Sequence, residues 1–311
     1  MEDWESSSPT ITVSTSGSTG VPKEIVLNKT RVRASARATG EFFKFKKGQV
    51  LLLNLSPGYI AGKLMLVRAL EHDMRILVAP ASQNPLLALG NRQVDFAAFV
   101  PYQVEAILKN DQTKAAYEKI PQVIIGGATI ALKVEVELQE LQNQSYATFG
   151  MTETITHVAL RSITSGDGVY TCLPNITIAQ DERGCLVINE SEISGRLITN
   201  DLITQIDAHK FRWNGRLDNV VNSAGVKLFP EQLEQKIEDL IPDNRFYFMG
   251  RKSGVFGEEL VLFVEGEQGI NWNAIQLDIM QRLTSFEYPK EIIFVANFKE
   301  TPTGKVIRAL F

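Results

Sequence analysis

From residue 11 to about residue 150, short apolar runs alternate with longer stretches in which apolar residues recur every three or four positions. Val50–Leu55, Arg75–Val78, Phe96–Val100 and Val123–Ile125 have the length and composition of buried strands. Helical periodicity occupies Lys29–Thr39, Lys63–Glu71, Tyr102–Lys109 and Ala131–Leu141. This alternation predicts a mostly parallel sheet with helices on its faces. Beyond about residue 155 the pattern shortens to Val169–Leu173, Ile176–Ala179 and Leu186–Ile188, separated by Gly, Asn and Asp turns. That texture predicts an antiparallel, barrel-like part appended to the sheet. The turn-rich stretch Trp213–Asn219 marks a boundary between a large domain, 1–217, and a small α+β domain, 218–311. In the small domain Pro230–Leu240 and Trp272–Leu283 read as helices, and Arg245–Met249, Leu260–Val264 and Ile292–Val295 as strands. The fold class is α/β.

Composition agrees and narrows the function. At 44% hydrophobic and 22% charged residues, the 311-residue chain is ordinary for a globular protein, which excludes long disorder and fibrous repeats. A net charge of −4 disfavours general binding to nucleic acid or anionic membranes. Cys172 and Cys185 are too few and too far apart for a disulfide framework or a Cys-rich zinc site. The acidic start Met1-Glu2-Asp3-Trp4-Glu5 lacks the features of a signal peptide, and no apolar run approaches the ~18 residues that span a bilayer. The expectation is a soluble, cytoplasmic protein.

Three motifs carry candidate chemistry. Ser14-Thr15-Ser16-Gly17-Ser18-Thr19-Gly20-Val21-Pro22-Lys23 follows the apolar run Thr10–Val13 and offers hydroxyls, unhindered backbone N–H groups and one cation, as an anionic phosphate tail requires. Pro22 before Lys23 separates it from the Walker A pattern. Its composition alone would also suit a flexible linker. Phe149-Gly150-Met151-Thr152-Glu153-Thr154 lies at a strand end, where Thr152 can donate to a phosphate and Glu153 can hold Mg²⁺; a Thr-Glu pair alone is more often a turn or cap. Thr301-Pro302-Thr303-Gly304-Lys305 presents a lysine able to stabilise a developing anion, although a lone lysine is usually only solvated.

In identity, order and spacing, the three motifs resemble those of the adenylate-forming superfamily of acyl-CoA synthetases, peptide-synthetase adenylation domains and luciferases, from about Val13 to Lys305. Gly126-Gly127-Ala128 resembles the family's adenine-side loop, and Gly215-Arg216-Leu217-Asp218 with Ser223-Ala224-Gly225 its hinge block. Within the superfamily, Met151–His157, Thr199-Asn200-Asp201-Leu202 and Asp218–Ser223 look most like the o-succinylbenzoate–CoA ligases of menaquinone biosynthesis.

The resemblance implies a two-step reaction: a carboxylate attacks the α-phosphate of ATP, giving acyl-AMP and pyrophosphate, and the CoA thiol then displaces AMP. By that resemblance Thr15, Ser16, Gly17, Ser18, Thr19, Gly20 and Lys23 belong to the loop over the β- and γ-phosphates. Thr152 touches the α-phosphate, Glu153 holds Mg²⁺, and Gly127 and Ala128 lie against adenine. Asp201 and Arg216 bind the ribose, which suits a carboxylate able to accept from both hydroxyls. Lys305 serves adenylation, Asp218 is the hinge of the small domain, and the CoA channel passes Gly225. Lys63, Arg68, His157 and Arg161 are candidates for the second carboxylate of the acid. No macromolecular partner is implied.

Three departures stand out. The phosphate loop begins at residue 14, where the family usually has a substantial preceding region, so part of the large domain is expected to be missing or replaced. Tyr59 in Ser56-Pro57-Gly58-Tyr59-Ile60-Ala61-Gly62 takes the place of a common His, and Asn200 that of a common Gly. Alternatives are an acyl- or aryl-CoA synthetase for another acid, an adenylating enzyme serving a carrier protein, and a non-catalytic nucleotide-binding relative.

Overall fold

The computed structural model describes residues 4, 6–14, 24–151, 153–190, 196–242, 244–254, 257–269, 271–300 and 306–310. They form two compact units, Met1–Ile178 with Ile188–Arg196 and Ile206–Phe211, and Ala179–Val187 with Leu197–Gln205 and Arg212–Phe311.

The first unit opens with β1 (Thr10–Ser14) and β2 (Glu24–Asn28), an antiparallel hairpin running from Thr10↔Asn28 to Ser14↔Glu24. Its base therefore brackets the phosphate-loop motif, whose residues 15–23 lie outside the described residues. Helix α1 (Lys29–Phe43) starts where Asn28 accepts from the Thr30 N–H at 2.8 Å, satisfying one of the free donors at a helix N-terminus. Then come β3 (Val50–Leu53), α2 (Ile60–Glu71), β4 (Arg75–Val78), β5 (Phe96–Phe99), α3 (Pro101–Leu108), α4 (Asp111–Glu118), β6 (Gln122–Ile125), α5 (Leu132–Gln139) and β7 (Gln144–Gly150). The order β4-β3-β5-β6-β7 is parallel throughout, as the alternation predicts. Parallel strands point their C-terminal ends to one edge, the usual ligand edge of such sheets, and the Gly126 and Gly150 loops both leave from it.

The helices cover the sheet because their apolar stripes have nowhere else to go. Val104, Ile107, Tyr117, Val134 and Leu138 pack on Leu52, Ala97, Phe99, Val123 and Ile125. Val32 and Ala36 of α1 and Leu64 and Val67 of α2 pack with Ile11, Val13, Leu27 and Ile155 in a separate core. Full burial of such side chains contributes roughly 1.5–3 kcal/mol each. Helix α4 escapes the pattern reading because it buries only Thr113 and Tyr117.

Past β7 the chain turns antiparallel, in β8 (His157–Ser162) and β9 (Tyr170–Cys172), followed by β10 (Ile176–Gln180), β11 (Cys185–Glu190), β12 (Arg196–Gln205) and β13 (Lys210–Arg216). Strand β12, Arg-Leu-Ile-Thr-Asn-Asp-Leu-Ile-Thr-Gln, was hidden from the pattern by its polar centre.

In the second unit, β14 (Val221–Ser223) and β15 (Val226–Leu228) form a hairpin, followed by α6 (Pro230–Ile237), β16 (Phe246–Ser253), β17 (Gly257–Glu265), α7 (Trp272–Arg282) and β18 (Glu291–Val295). Strands β16 and β17 are antiparallel, while β18 runs parallel to β17. Alternate residues serve opposite faces. Phe248, Leu260 and Leu262 meet Leu233 and Ile237 of α6 and Trp272 and Ile279 of α7, while Tyr247, Val261 and Phe263 meet Phe298. No helix among the described residues is long and apolar enough to cross a membrane.

Candidate functional site

Strand β6 ends at Ile125, and Gly126 donates its N–H to the Phe99 carbonyl at 3.1 Å. A Cβ on Gly126 would stand 2.1 Å from Thr148 Oγ1 of β7, so the backbone there lies close against the neighbouring strand. Gly127 follows at φ +94°, a conformation that L side chains rarely adopt. Gly127 and Ala128 are exposed at the sheet edge, leaving a bare backbone surface.

The turn after β7 is built more tightly. Gly150 sits at a register shift opposite His157, where a Cβ would meet the Thr156 carbonyl oxygen at 2.4 Å. Thr154 ties the turn together: its hydroxyl oxygen is 2.9 Å from the Met151 carbonyl and 2.8 Å from that of Thr156, and it accepts from the Met151 N–H at 3.0 Å. Ile155 is buried at φ +67°, an outlier for a β-branched residue that costs about 1–3 kcal/mol, so the surrounding packing must hold it there. The exposed side chain of Glu153 projects from this turn. Thr152 lies outside the described residues, as do Thr15 to Lys23 and Lys305.

Next to the turn is a buried polar chain. Thr39 gives its hydroxyl proton to the Ser35 carbonyl at 3.1 Å, so toward His157 Nε2, 3.3 Å away, it can only accept. The imidazole proton therefore sits on Nε2, and Nδ1 accepts from Thr156 Oγ1 at 3.4 Å. Thr156 Oγ1 in turn accepts from Arg68 Nη2 at 3.4 Å. Arg68 is 2% exposed; its Nη1 faces the Met65 sulfur at 3.5 Å and its Nε is buried without a partner. No carboxylate among the described residues pairs with it, and burial pulls its guanidinium down to about 10. His157 is held well below its ordinary value, by burial first and by the Arg68 charge second. A small cavity lined by Ala34, Ser35, Ala38, Thr154 and His157 adjoins this chain.

A neutral His157 gives an expected result. The unfolded chain takes up a proton there near pH 6.5 and the native one does not, so falling pH favours the unfolded state. The His157 imidazole NMR signal should show no titration around pH 6.5, and stability should fall as pH drops below about 6.5. A midpoint near 6.5 would refute the neutral assignment.

The other substrate candidates differ. Arg161 makes a two-point pair with Glu135 at 2.9 and 2.5 Å and lies 5.7 Å over the Tyr170 ring, so its charge is already matched. Lys63 donates to the Thr12 carbonyl at 3.0 Å, bracing the β1–β2 hairpin. Tyr59, in the place of the common His, is exposed just before α2.

In the second unit Asp201 is 6% exposed. Its Oδ1 accepts from Trp213 Nε1 at 3.0 Å, and Oδ2 lies 3.7 Å from Arg216 Nη1. Arg216 reaches Asp218 at 2.6 Å, and Asn200 Nδ2 donates to the same carboxylate at 3.0 Å. The two ribose candidates and the hinge candidate thus share one network. Trp213 joins it without having been given a role, and Asn200, noted above only as standing where a Gly is common, proves to hold Asp218, because strand neighbours are invisible in a linear motif. Gly225 at φ +81° forms the exposed tip of the β14–β15 hairpin, with nothing within 4 Å of its would-be Cβ.

Comparison with known proteins matches the chain to a family. Residues 2–197 match the family described as AMP-binding enzyme. A crystal structure from Dyadobacter fermentans, described as an acyl-CoA synthetase (AMP-forming)/AMP-acid ligase II-like protein, is 35% identical, with a TM-score of 0.69 over 98% of this chain and 89% of that one. The 2-succinylbenzoate–CoA ligase of Haemophilus influenzae is 25% identical over 88% of this chain but only 64% of its own length. The o-succinylbenzoate CoA synthetase of Bacillus subtilis, solved with its acyl-adenylate intermediate, shares the fold at a TM-score of 0.79 and 17% identity, over 95% of this chain and 67% of that one. The chain thus spans about two thirds of the length of these ligases. By its matched residues and its relatives, the chain belongs to the AMP-binding enzyme family of adenylate-forming ligases.

Proposed function

We propose that the chain activates a carboxylic acid with ATP as acyl-AMP, releasing pyrophosphate, and then forms the CoA thioester, with o-succinylbenzoate as the acid. The observation that carries the choice of acid is Arg68, a buried guanidinium whose charge no described carboxylate matches. An uncompensated buried cation is costly, and a substrate with a second carboxylate would compensate it. The succinylbenzoate ligases among the relatives support the same choice.

The residues suit a nucleotide. The exposed backbone at Gly127 and Ala128 would offer an approach for adenine, and Asp201 would accept from the ribose hydroxyls, with Arg216 beside it. The loop Thr15–Lys23 is proposed to receive the β- and γ-phosphates and Thr152 the α-phosphate. Glu153 would hold Mg²⁺, a cation that typically takes one or two carboxylates plus phosphate oxygens and water. Lys305 is proposed to steady the charge that develops as the carboxylate attacks. The domain 218–311 would then turn about Asp218, withdrawing Lys305 and giving CoA access beside Gly225.

Turnover with ATP, Mg²⁺ and CoA tests the proposal, using o-succinylbenzoate beside benzoate and a medium-chain fatty acid. Selective turnover of o-succinylbenzoate is expected. Turnover of another acid alone would keep the reaction and discard this substrate. ATP binding without pyrophosphate exchange would leave a non-catalytic nucleotide-binding relative, and adenylation without thioester formation would point to a carrier protein as acceptor.

A further inference from the structure

Within the second unit Asp201 is held from two directions. Its backbone N–H donates to Thr199 Oγ1 at 3.0 Å, and that hydroxyl donates in turn to the Leu186 carbonyl at 2.9 Å. Strand β12 is thereby fixed on β11 at the point where the carboxylate leaves it. From β13 the half-buried Trp213 donates its indole N–H to Asp201 Oδ1 at 3.0 Å. Three residues further on, Arg216 is drawn away. Its Nη2 meets Asp218 at 2.6 Å, which leaves Nη1 3.7 Å from Asp201 Oδ2, too long for a hydrogen bond. Asn200 Nδ2 steadies that same Asp218 at 3.0 Å.

A carboxylate has about four lone-pair sites, two on each oxygen, and an indole N–H can only donate. The terminal torsion of an aspartate is broad, so its own rotamer preference does not fix the plane of the carboxylate. The indole does, by occupying one site on Oδ1. It also keeps the group off its nearest cation: closing the 3.7 Å gap to Arg216 would use an acceptor site that a ribose hydroxyl needs. Trp213 thus holds Asp201 in one plane, and Asp218 holds Arg216 back, with an acceptor site left on each Asp201 oxygen.

We infer that Trp213 is a positioning residue for ribose recognition: its indole N–H sets the plane of the Asp201 carboxylate, and the preference for ribonucleotides over deoxynucleotides depends on it. The inference rests on the ribose role proposed above for Asp201. Equilibrium binding of ATP, 2′-deoxyATP and 3′-deoxyATP, measured by calorimetry, tests it without turnover. Trp213→Phe removes the donor. Trp213→3-benzothienylalanine, with sulfur in place of the N–H, removes it at nearly unchanged shape and should leave the melting temperature close to that of the parent. Both variants should bind ATP about 3- to 10-fold more weakly. Each deoxynucleotide, which offers Asp201 one hydroxyl rather than two, should stay within about twofold of its parent affinity, so the preference for ATP shrinks. A structural role alone would weaken all three nucleotides together; that result, or an unchanged preference in the benzothienyl variant, overturns the inference. Asp201→Ala runs alongside. If the parent shows no preference for ATP, or Asp201→Ala keeps it, the ribose reading of Asp201 fails and this inference with it. If Asp201→Ala abolishes the preference while both Trp213 variants retain it, the positioning role alone is overturned.

Discussion

Lys305→Ala should slow acyl-adenylate formation by roughly 10²–10³-fold, or about 2.7–4 kcal/mol of transition-state stabilisation, the loss expected when one preorganised charge-stabilising donor is removed. Thioester formation from supplied acyl-AMP and CoA should change little, because on the proposed swing about Asp218 that step follows the lysine's withdrawal. The physical basis is charge. The attacking carboxylate and the α-phosphate are both anionic, and a point cation on a flexible stem can meet the charge as it develops. Rapid-quench measurement of pyrophosphate release, beside a single-turnover assay started from acyl-AMP, separates the two steps. Equal losses in both would sink the assignment of Lys305 to adenylation and, with it, the swing about Asp218.

The second large effect is expected at Arg68. Arg68→Met retains most of the buried stem and removes the charge. It should raise the KM for o-succinylbenzoate by at least about 30-fold, corresponding to the 2–5 kcal/mol typical of truncating one partner of a buried charge pair. Benzoate or another monocarboxylate should be used no worse than by the parent protein. The same change should stabilise the substrate-free protein, because a buried guanidinium with an unpaired Nε is replaced by apolar volume. A gain in denaturation midpoint together with a loss of dicarboxylate preference is the pattern of a site whose strain serves binding. Loss of stability with unchanged acid preference would make Arg68 a core cation and remove the main support for o-succinylbenzoate. The His157 titration offers a cross-check, since without the Arg68 charge its midpoint should move upward.

Much of this protein was legible in the order of its residues. Parallel strands β3, β5 and β6 announced themselves because a strand buried on both faces needs an unbroken apolar run, whereas β4, which reads as buried too, is an edge strand with Ile76 and Val78 exposed. The loops at Gly126 and Gly150 were legible because their glycines answer local demands, a close strand neighbour in each case. The family followed from contiguous motifs, and residues 2–197 match it. Helix α4 and strand β12 were not legible, since the first buries two side chains and the second interrupts its apolar pattern with Thr-Asn-Asp.

Charge matching was beyond the sequence altogether. Arg68 and Arg161 look alike on the line, each a basic residue beside an apolar run. In the fold Arg161 meets Glu135, 26 positions away, with both oxygens, while Arg68 meets a threonine hydroxyl and a sulfur. Likewise Arg308 finds Glu234 at a separation of 74. Sequence by itself determined the alternating elements, the order of the motifs and the family, because those depend on neighbours along the chain. Only the tertiary structure decided which charges meet a described partner and which do not, because Coulomb energy and desolvation depend on which distant elements the packing brings within a few ångströms.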